Sequence, residues 1–350
     1  MSEKSEQTGD GGAANRRIFS GMQPSGEAHL GNYLGALRQW VKLQDDHECF
    51  FCVVDQHAIT GDFSPDELPA RILDLAVSFL AVGLDPEEST IFVQSDVPEH
   101  TELAWLLNAV TPVGNLERMT QYKDKSANME SIPAGLLNYP ILQAADILLY
   151  RAGAVPVGED QLQHLELTRE IARKWNSRFG DLFPEPQAIR GGAGRILGLD
   201  GKAKMSKSLG NTVGILAEPP EIWDRVRTAV TDPQRVRRDD PGRPEVCNVF
   251  TLHKHFTDPE LIPDIESQCR GGTRGCVDCK RILADSIDEH FQEARERAAD
   301  LHARPGRIQE ILEAGAQRAR AEARETMNQV RERMGMTWRA AVGSGRSAAT

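Results

Sequence analysis

A doubly wound α/β domain followed by a smaller all-helical one is the fold class that the sequence predicts, on three observations. Short apolar runs alternate with helical stretches through the first half of the chain, the pattern of a parallel sheet covered on both faces. A turn crowded with breakers, Gly21-Met22-Gln23-Pro24-Ser25-Gly26, joins the first run to an apolar helical spacing. After Ser208 the strand-like runs stop and helical patterns take over.

Residues 1–15 are polar and Gly-rich, unlike a signal peptide, and are expected to be a disordered tail. Residues 17–20 read as the first strand, and Leu34, Leu37 and Val41 mark the helix after the turn. Residues 50–54 and 91–93 are the next strands, ending at Asp55-Gln56-His57 and Gln94-Ser95-Asp96. Residues 154–157 form another, running through Gly158-Glu159-Asp160-Gln161 into a helix with Leu165, Ile171 and Trp175. Ligands of such sheets bind beyond the carboxyl ends of the strands, so these end segments should gather around one site. The smaller domain opens with a helix near Pro219-Pro220, where proline suits the first turn. The last strong helix, 307–334, repeats Ile308, Ile311, Leu312, Ala316, Ala319, Ala323, Met327, Val330 and Met334 mostly at three- or four-residue steps, a stripe that must be buried. The expected divisions are a tail at 1–15, a catalytic domain at 16–210, a helical domain at 211–305, a C-terminal helix at 306–334 packed back on the body, and a flexible tail at 335–350.

With 350 residues and 40% apolar content the chain can bury a substantial core. No apolar run approaches the roughly 18 residues a membrane span needs, so a soluble, cytoplasmic protein with no membrane partner is expected. A net charge of −11 argues against indiscriminate nucleic-acid binding and leaves RNA contact to a local basic patch. Arg225, Arg227, Arg235, Arg237 and Arg238 offer one, although Asp239 and Asp240 beside them equally suit a solvated loop. Cys49 and Cys52 lie three apart in a strand and therefore point to opposite faces, as structural residues. Cys247, Cys269, Cys276 and Cys279 are different, because the last three sit in a turn-rich segment whose glycines free the backbone to wrap a centre.

The chain has neither a Gly-x-x-x-x-Gly-Lys-Ser/Thr loop nor a Gly-x-Gly-x-x-Gly turn. It carries instead Lys204-Met205-Ser206-Lys207-Ser208, about 175 residues after His29-Leu30-Gly31-Asn32. Two lysines and two hydroxyls on a loop can grip a triphosphate as charge moves to its leaving group. Gly26 lets the backbone approach an adenine or ribose, and His29 and Asn32 at a helix N-terminus can donate to phosphate oxygens. Alone, such a lysine run is usually a solvated loop, and a lone histidine is usually a satisfied surface group.

Paired in this order, the two motifs resemble the HIGH and KMSKS signatures of class I aminoacyl-tRNA synthetases. With Ile18-Phe19-Ser20-Gly21, Asp55-Gln56-His57-Ala58, Leu116-Glu117-Arg118-Met119-Thr120-Gln121, Ala144-Ala145-Asp146-Ile147-Leu148-Leu149-Tyr150 and Val157-Gly158-Glu159-Asp160-Gln161, the chain is similar to the bacterial tryptophanyl-tRNA synthetases over residues 17–334. The resemblance implies a Rossmann-like catalytic domain, a helical anticodon-binding domain, a homodimer, and L-tryptophan, ATP with Mg²⁺ on its triphosphate, and tRNA(Trp) as substrates. It implies an ATP site formed by Gln23, Pro24, Ser25, Gly31, Asn32, Gly158, Glu159, Asp160 and Ile196 with Met205, Ser206 and Ser208, where Lys204, Lys207, Lys125 and His29 meet the phosphates. It also implies a tryptophan pocket of Phe19, Gly21, His57, Tyr139, Gln143, Val155, Val157 and Gln161, with Asp146 accepting the indole N–H. A buried acceptor left unpaired by a phenyl analogue is a strong specificity device. Gln143 departs from the family pattern, in which Met is frequent, and brings an amide that needs partners. The spacing C-x21-C-x6-C-x2-C resembles the 4Fe–4S motif of a subset of these enzymes, with a first gap one residue shorter; structural zinc is the rival reading. Arg270, Arg274, Lys280 and Arg281 would then lie near the anticodon surface. A binding protein that has lost catalysis and an iron–sulfur oxidoreductase are the other readings; intact Lys204, Lys207, Asp146 and His29 oppose the first, and the lack of a second redox motif the other.

Overall fold

The computed structural model describes residues 16–61, 63–127, 129–191 and 196–337; the expected tail at 1–15, and residues 338–350 of the one expected at 335–350, lie outside them. A five-stranded sheet of β1 (Arg17–Met22), β2 (Glu48–Val53), β3 (Ser89–Val93), β4 (Ala154–Val157) and β5 (Gln187–Arg190) has the order β3-β2-β1-β4-β5 with every pair parallel. The twofold alternation of side chains divides the core. Ile18, Cys49, Phe51 and Val53 enter one apolar cluster, and Phe19, Phe50 and Cys52 the other, so the two strand cysteines do face apart. The fifth strand was not expected from the sequence. Its Gln-Ala-Ile-Arg is a half-exposed edge with no continuous apolar run.

The order of strands reverses between β1 and β4, and there the sheet opens. β1 pairs with β2 at six positions, from Arg17↔Glu48 to Met22↔Val53, but with β4 only at Ile18↔Ala154. Pro156 has no N–H to donate toward β1, so the two strands separate toward their carboxyl ends and leave a crevice between the loops that follow them.

Beyond the sheet the chain is helical, with helices Pro219–Val226, Asn248–Phe256, Ile262–Arg270 and Cys276–Ala303 sharing one apolar cluster with the sheet face that carries Ile18 and Phe51. The C-terminal helix Pro305–Arg333 crosses β3 and the helix Glu99–Asn108. Its expected apolar stripe is buried from Ile308 to Val330, and ion pairs Arg320–Glu99 (3.1 Å), Arg331–Glu102 (2.5 Å) and Arg17–Glu322 (2.8 Å) flank it. Gly335, at φ +75°, closes the helix while Met336 N–H donates to Arg331 C=O (2.8 Å), so the first residues of the expected tail are capped. Among the described residues no helix is long and apolar enough to cross a membrane.

Gly315 sets how close the C-terminal helix comes to β3, since a Cβ there would lie 1.8 Å from the Ile91 carbonyl oxygen. Gly315→Ala must lift the helix off the strand. The expected cost is about 2 kcal/mol, read from the shift of the urea unfolding midpoint.

Candidate active site

The turn after β1 is built to hold its groups rigidly. Ser25 N–H donates to Gln23 C=O (2.8 Å) around Pro24, whose fixed φ suits the centre of a γ-turn, and Gly26 follows at φ +117°. His29 then caps the short helix Leu30–Asn32: its Nδ1 accepts from Gly31 N–H (3.1 Å) and Asn32 N–H (3.3 Å), while Asn32 Oδ1 accepts from His29 N–H (3.1 Å). Nδ1 is therefore an acceptor and the ring is neutral, with its proton on Nε2. Burial, reinforced by the charges of Lys207 and Lys204, lowers the His29 pKa to about 4. What remains for a phosphate is the Nε2–H of His29 and the amide NH₂ of Asn32.

The lysine loop is bound to this turn by backbone. Residues 28–30 pair antiparallel with 213–215 through Leu30 N–H to Val213 C=O and Ile215 N–H to Ala28 C=O, both 3.0 Å. Met205 is buried, with its Sδ 3.3 Å from the Gly31 nitrogen, and its own N–H donates to Ile196 C=O (3.1 Å). Asn211 holds the far end: Oδ1 accepts from Ser206 N–H (2.7 Å) and Nδ2 donates to Asp200 Oδ2 (3.2 Å). Neither Asp200 nor Asn211 was singled out from the sequence, where the only signal is the turn pairs Asp200-Gly201 and Gly210-Asn211 flanking the lysines. Lys207 lies against the first turn, as a Cβ on Gly26 would be 2.6 Å from its Nζ. Lys204 lies across the crevice on Asp160 Oδ2 (3.0 Å), an ion pair exposed at both ends. The two lysines thus sit on opposite banks of the opening between β1 and β4. Lys125 does not join them. Its ammonium is 5.4 Å above the Tyr139 ring.

Asp146 is 1% exposed, on the helix Ala134–Leu149, and three side chains from the neighbouring strand ends converge on it. Gln94 Nε2 donates to Oδ1 (2.7 Å), His100 Nδ1 lies 2.6 Å from Oδ1, and His57 Nε2 lies 2.7 Å from Oδ2. Burial by itself would raise the pKa of Asp146, but the charge of His57 and the hydrogen bonds from His100 and His57 outweigh it and hold the carboxyl down at about 2. His57, expected along the pocket wall, is turned to the carboxylate. Gln94 belongs to a strand-end segment expected at the site, though its bond to Asp146 was not foreseen; His100 was missed, since it lies on the helix Glu99–Asn108 and nothing local in the sequence marks it. Phe19 stacks on Tyr150 at 5.5 Å below this centre, Val155 and Val157 lie in the same apolar cluster, and Gln143 is half-buried one turn before Asp146. Gly21 is required beside them, because a Cβ there would lie 2.5 Å from Val54 Cγ1.

A second chain of hydrogen bonds runs from this side to the loop after β4. Tyr139 Oη lies 2.8 Å from His164 Nε2 and 3.2 Å from Gln121 Oε1, and Gln121 Nε2 donates to Asp160 C=O (3.2 Å). Gly158, Glu159 and Asp160 are exposed around the end of β4, where Gly158 C=O accepts from Gln161 N–H (3.0 Å).

In the helical domain, Cys247, Cys269, Cys276 and Cys279 line one small cavity together with Arg235 and Arg274. Gly242 is required at its edge, since a Cβ there would be 2.5 Å from Cys269 Sγ. Among the described residues no three His, Cys, Asp or Glu side chains are drawn tightly enough to hold a single ion. The basic surface expected around Arg235 is smaller than the sequence suggests. Arg235 turns inward, donating to Arg274 C=O (2.6 Å) and lying 3.7 Å from Cys269 Sγ. Lys280 donates to Arg227 C=O, Arg281 lies over the Trp223 ring, and Arg270 and Arg274 are paired with Glu266 and Asp264.

A sheet opened at its switch point, a capped histidine turn and a lysine loop pinned against it define the architecture of a class I nucleotide-activating ligase. Residues 13–292 match the family described as tRNA synthetases class I (W and Y), and the chain belongs to that family. It is 53% identical over 324 residues to the tryptophan–tRNA ligase of Deinococcus radiodurans, covering 91% of this chain and 98% of that protein. To the tryptophan–tRNA ligase of Caldanaerobacter subterraneus it is 45% identical over 331 residues, covering 93% of this chain and 99% of that one. A crystal structure of tryptophanyl-tRNA synthetase from Campylobacter jejuni complexed with ADP and tryptophan superposes with a TM-score of 0.83 at 39% identity, over 91% of this chain and 99% of that chain.

His29 and His164 are both held near pKa 4 by burial, below the unfolded value of 6.5. Between about pH 4 and 6.5 the unfolded chain therefore binds more protons than the native one, so stability is full above about 6.5 and declines as pH falls toward 4. Thermal unfolding midpoints should decrease across that window, and His164→Asn should flatten the decrease.

Proposed function

We infer that this chain is a tryptophan–tRNA ligase, which activates L-tryptophan with ATP and transfers it to the terminal adenosine of tRNA(Trp). The observation that carries the specificity is the Asp146 carboxylate, buried and kept ionised beside the crevice, where it accepts the indole N–H. A carboxylate oxygen of tryptophan attacks the α-phosphorus, the bond to the bridging oxygen of the β-phosphate breaks, and pyrophosphate leaves with Mg²⁺. The nucleophile is already ionised, so no general base is needed, and catalysis rests on positioning and charge. Gln23, Pro24, Ser25, Gly31 and the 158–160 loop line the ATP site, with Ile196 and Met205 beneath the base. Lys207, His29 Nε2–H and the Asn32 amide meet the phosphates. Lys204 exchanges Asp160 for them, at little cost because an exposed pair contributes only about 0–1 kcal/mol. Class membership implies attack by the 2′-hydroxyl in the second step. The enzyme acts as a cytoplasmic homodimer, whose interface would cover exposed side chains such as Trp105, 76% exposed on the helix Glu99–Asn108.

We also propose that Cys247, Cys269, Cys276 and Cys279 hold a 4Fe–4S cluster. The donor set fits: four thiols line one cavity, and the Nε atoms of Arg235 and Arg274 are buried beside it without a partner, as donors suited to an anionic centre. Structural zinc on the same four thiols is the rival reading. When bound, the cluster would supply cross-linking of the helical domain and no chemistry to aminoacylation. Rigid helices then present the anticodon surface, to which Arg225, Arg227, Arg237 and Arg238 are exposed contributors.

Pyrophosphate–ATP exchange should depend on tryptophan and on none of the other amino acids, and Lys207→Ala should slow it roughly 100-fold by removing a fixed cation from the leaving pyrophosphate; exchange driven by tyrosine instead would refute the substrate. Anaerobically purified protein should contain equal iron and acid-labile sulfide, about four of each per chain. Stoichiometric zinc without sulfide would overturn the cluster.

A further inference from the structure

Asp146 carries more donors than a specificity carboxylate needs, and their arrangement is fixed from outside the pocket. A carboxylate offers about four lone-pair sites. Oδ1 faces Gln94 Nε2 at 2.7 Å and His100 Nδ1 at 2.6 Å, which fills both of its sites, and Oδ2 faces His57 Nε2 at 2.7 Å. One acceptor direction is left, on Oδ2.

The polarity of each contact to Oδ1 follows from what lies behind it. Gln94 Oε1 accepts from the backbone N–H of Gln56 (3.2 Å), a group that can only donate, so the NH₂ end of the amide must face Asp146. His100 is fully buried, and its Nε2 lies 2.7 Å from Tyr150 Oη. Burial keeps the Tyr150 phenol well above its usual pKa, so it remains an O–H donor, and His100 Nε2 is the partner placed to accept that proton. The imidazole proton is then on Nδ1, pointing at Oδ1. Tyr150 follows Asp146 by four residues at the cap of the same helix, which places the hydroxyl, the imidazole and the carboxylate in one closed arrangement.

We propose that His100 is a specificity-positioning residue: with Gln94 and Tyr150 it saturates Oδ1 and holds the carboxylate plane so that the remaining Oδ2 direction is offered to a substrate N–H. This rests on the reading that Asp146 accepts the indole N–H. None of these three groups needs to touch the amino acid. Without His100, Oδ1 has an unmet buried acceptor site, and the carboxylate turns or takes up a proton, becoming a donor where the indole also donates. The contact is remote from the reacting carboxylate and equal in ground and transition states, so its loss appears in KM for tryptophan and leaves kcat nearly unchanged.

The test measures tryptophan- and analogue-dependent pyrophosphate–ATP exchange, the analogue being the benzothiophene isostere of tryptophan, in which sulfur replaces the ring N–H. The parent enzyme should prefer tryptophan strongly. His100→Leu should raise KM for tryptophan roughly 10- to 100-fold while shifting the sulfur analogue by no more than about threefold, so the preference collapses. His100→Asn, whose amide NH₂ occupies the place of Nδ1–H, should restore most of it. Tyr150→Phe keeps the packing volume but frees the tautomer and should lose roughly three- to tenfold of the preference; it carries the test alone if His100→Leu does not fold. An undiminished preference in His100→Leu, or in Tyr150→Phe where that variant stands alone, would overturn the proposal. So would an equal loss for both substrates that Asn does not rescue, which is the mark of a merely structural role. Asp146→Ala separates the two levels: if it retains the parent preference, the indole reading itself is wrong, whereas if it loses the preference and His100→Leu does not, only the role of His100 is.

Discussion

A carboxylate without solvent must be compensated, and the interior on one side of this sheet is arranged around doing so for Asp146. Each donor arrives on a different element: His57 after β2, Gln94 after β3, His100 on the helix that follows. Asp146 and Tyr150 come from the long helix packed on the same face. The sheet supplies the geometry by ending its strands together, and Asp55 Oδ1 accepting from Ser95 N–H (3.0 Å) ties the two strand ends to each other. The C-terminal helix closes the outside, with Arg320 paired to Glu99 beside His100. A charge this deep is costly unless every member of its network is satisfied.

The lysine loop depends on the same opening in the sheet. The separation of β1 from β4 creates two banks, one ending in the Gly26 turn and the other in the 158–160 loop, and each holds one lysine. The ladder between residues 28–30 and 213–215 converts a long sequence separation into direct contact, while Met205 and Asn211 fix the ends of the lysine loop. His164, Tyr139, Gln121 and Asp160 form a hydrogen-bonded path between the helix that carries Asp146 and the 158–160 loop. Lys125 lies over Tyr139 on that path, and its charge helps to lower the pKa of His164.

Much of this was legible in the sequence where the signal is local. Apolar runs located four strands, breakers located the first turn, and helical spacing located the C-terminal helix and nearly all its buried positions. The edge strand Gln187–Arg190 was not legible, because a half-exposed strand has no hydrophobic run to announce it. Asp146 could be picked out, and Gln94 as part of a strand end, but not His100, whose role exists only where its helix packs against the ends of β2 and β3. The inward turn of Arg235 was equally hidden: a run of arginines reads as surface, and only the fold puts one of them against Cys269. The four spaced cysteines did meet in one cavity, since the turn-rich segment that carries three of them can wrap back on Cys247.

The most direct measurement is a crystal structure with L-tryptophan bound. The indole nitrogen should lie at about 2.7–3.2 Å from Asp146 Oδ2, with Gln94 and His100 still on Oδ1. An indole nitrogen directed to any other group, with Oδ2 left on His57 alone, would contradict it.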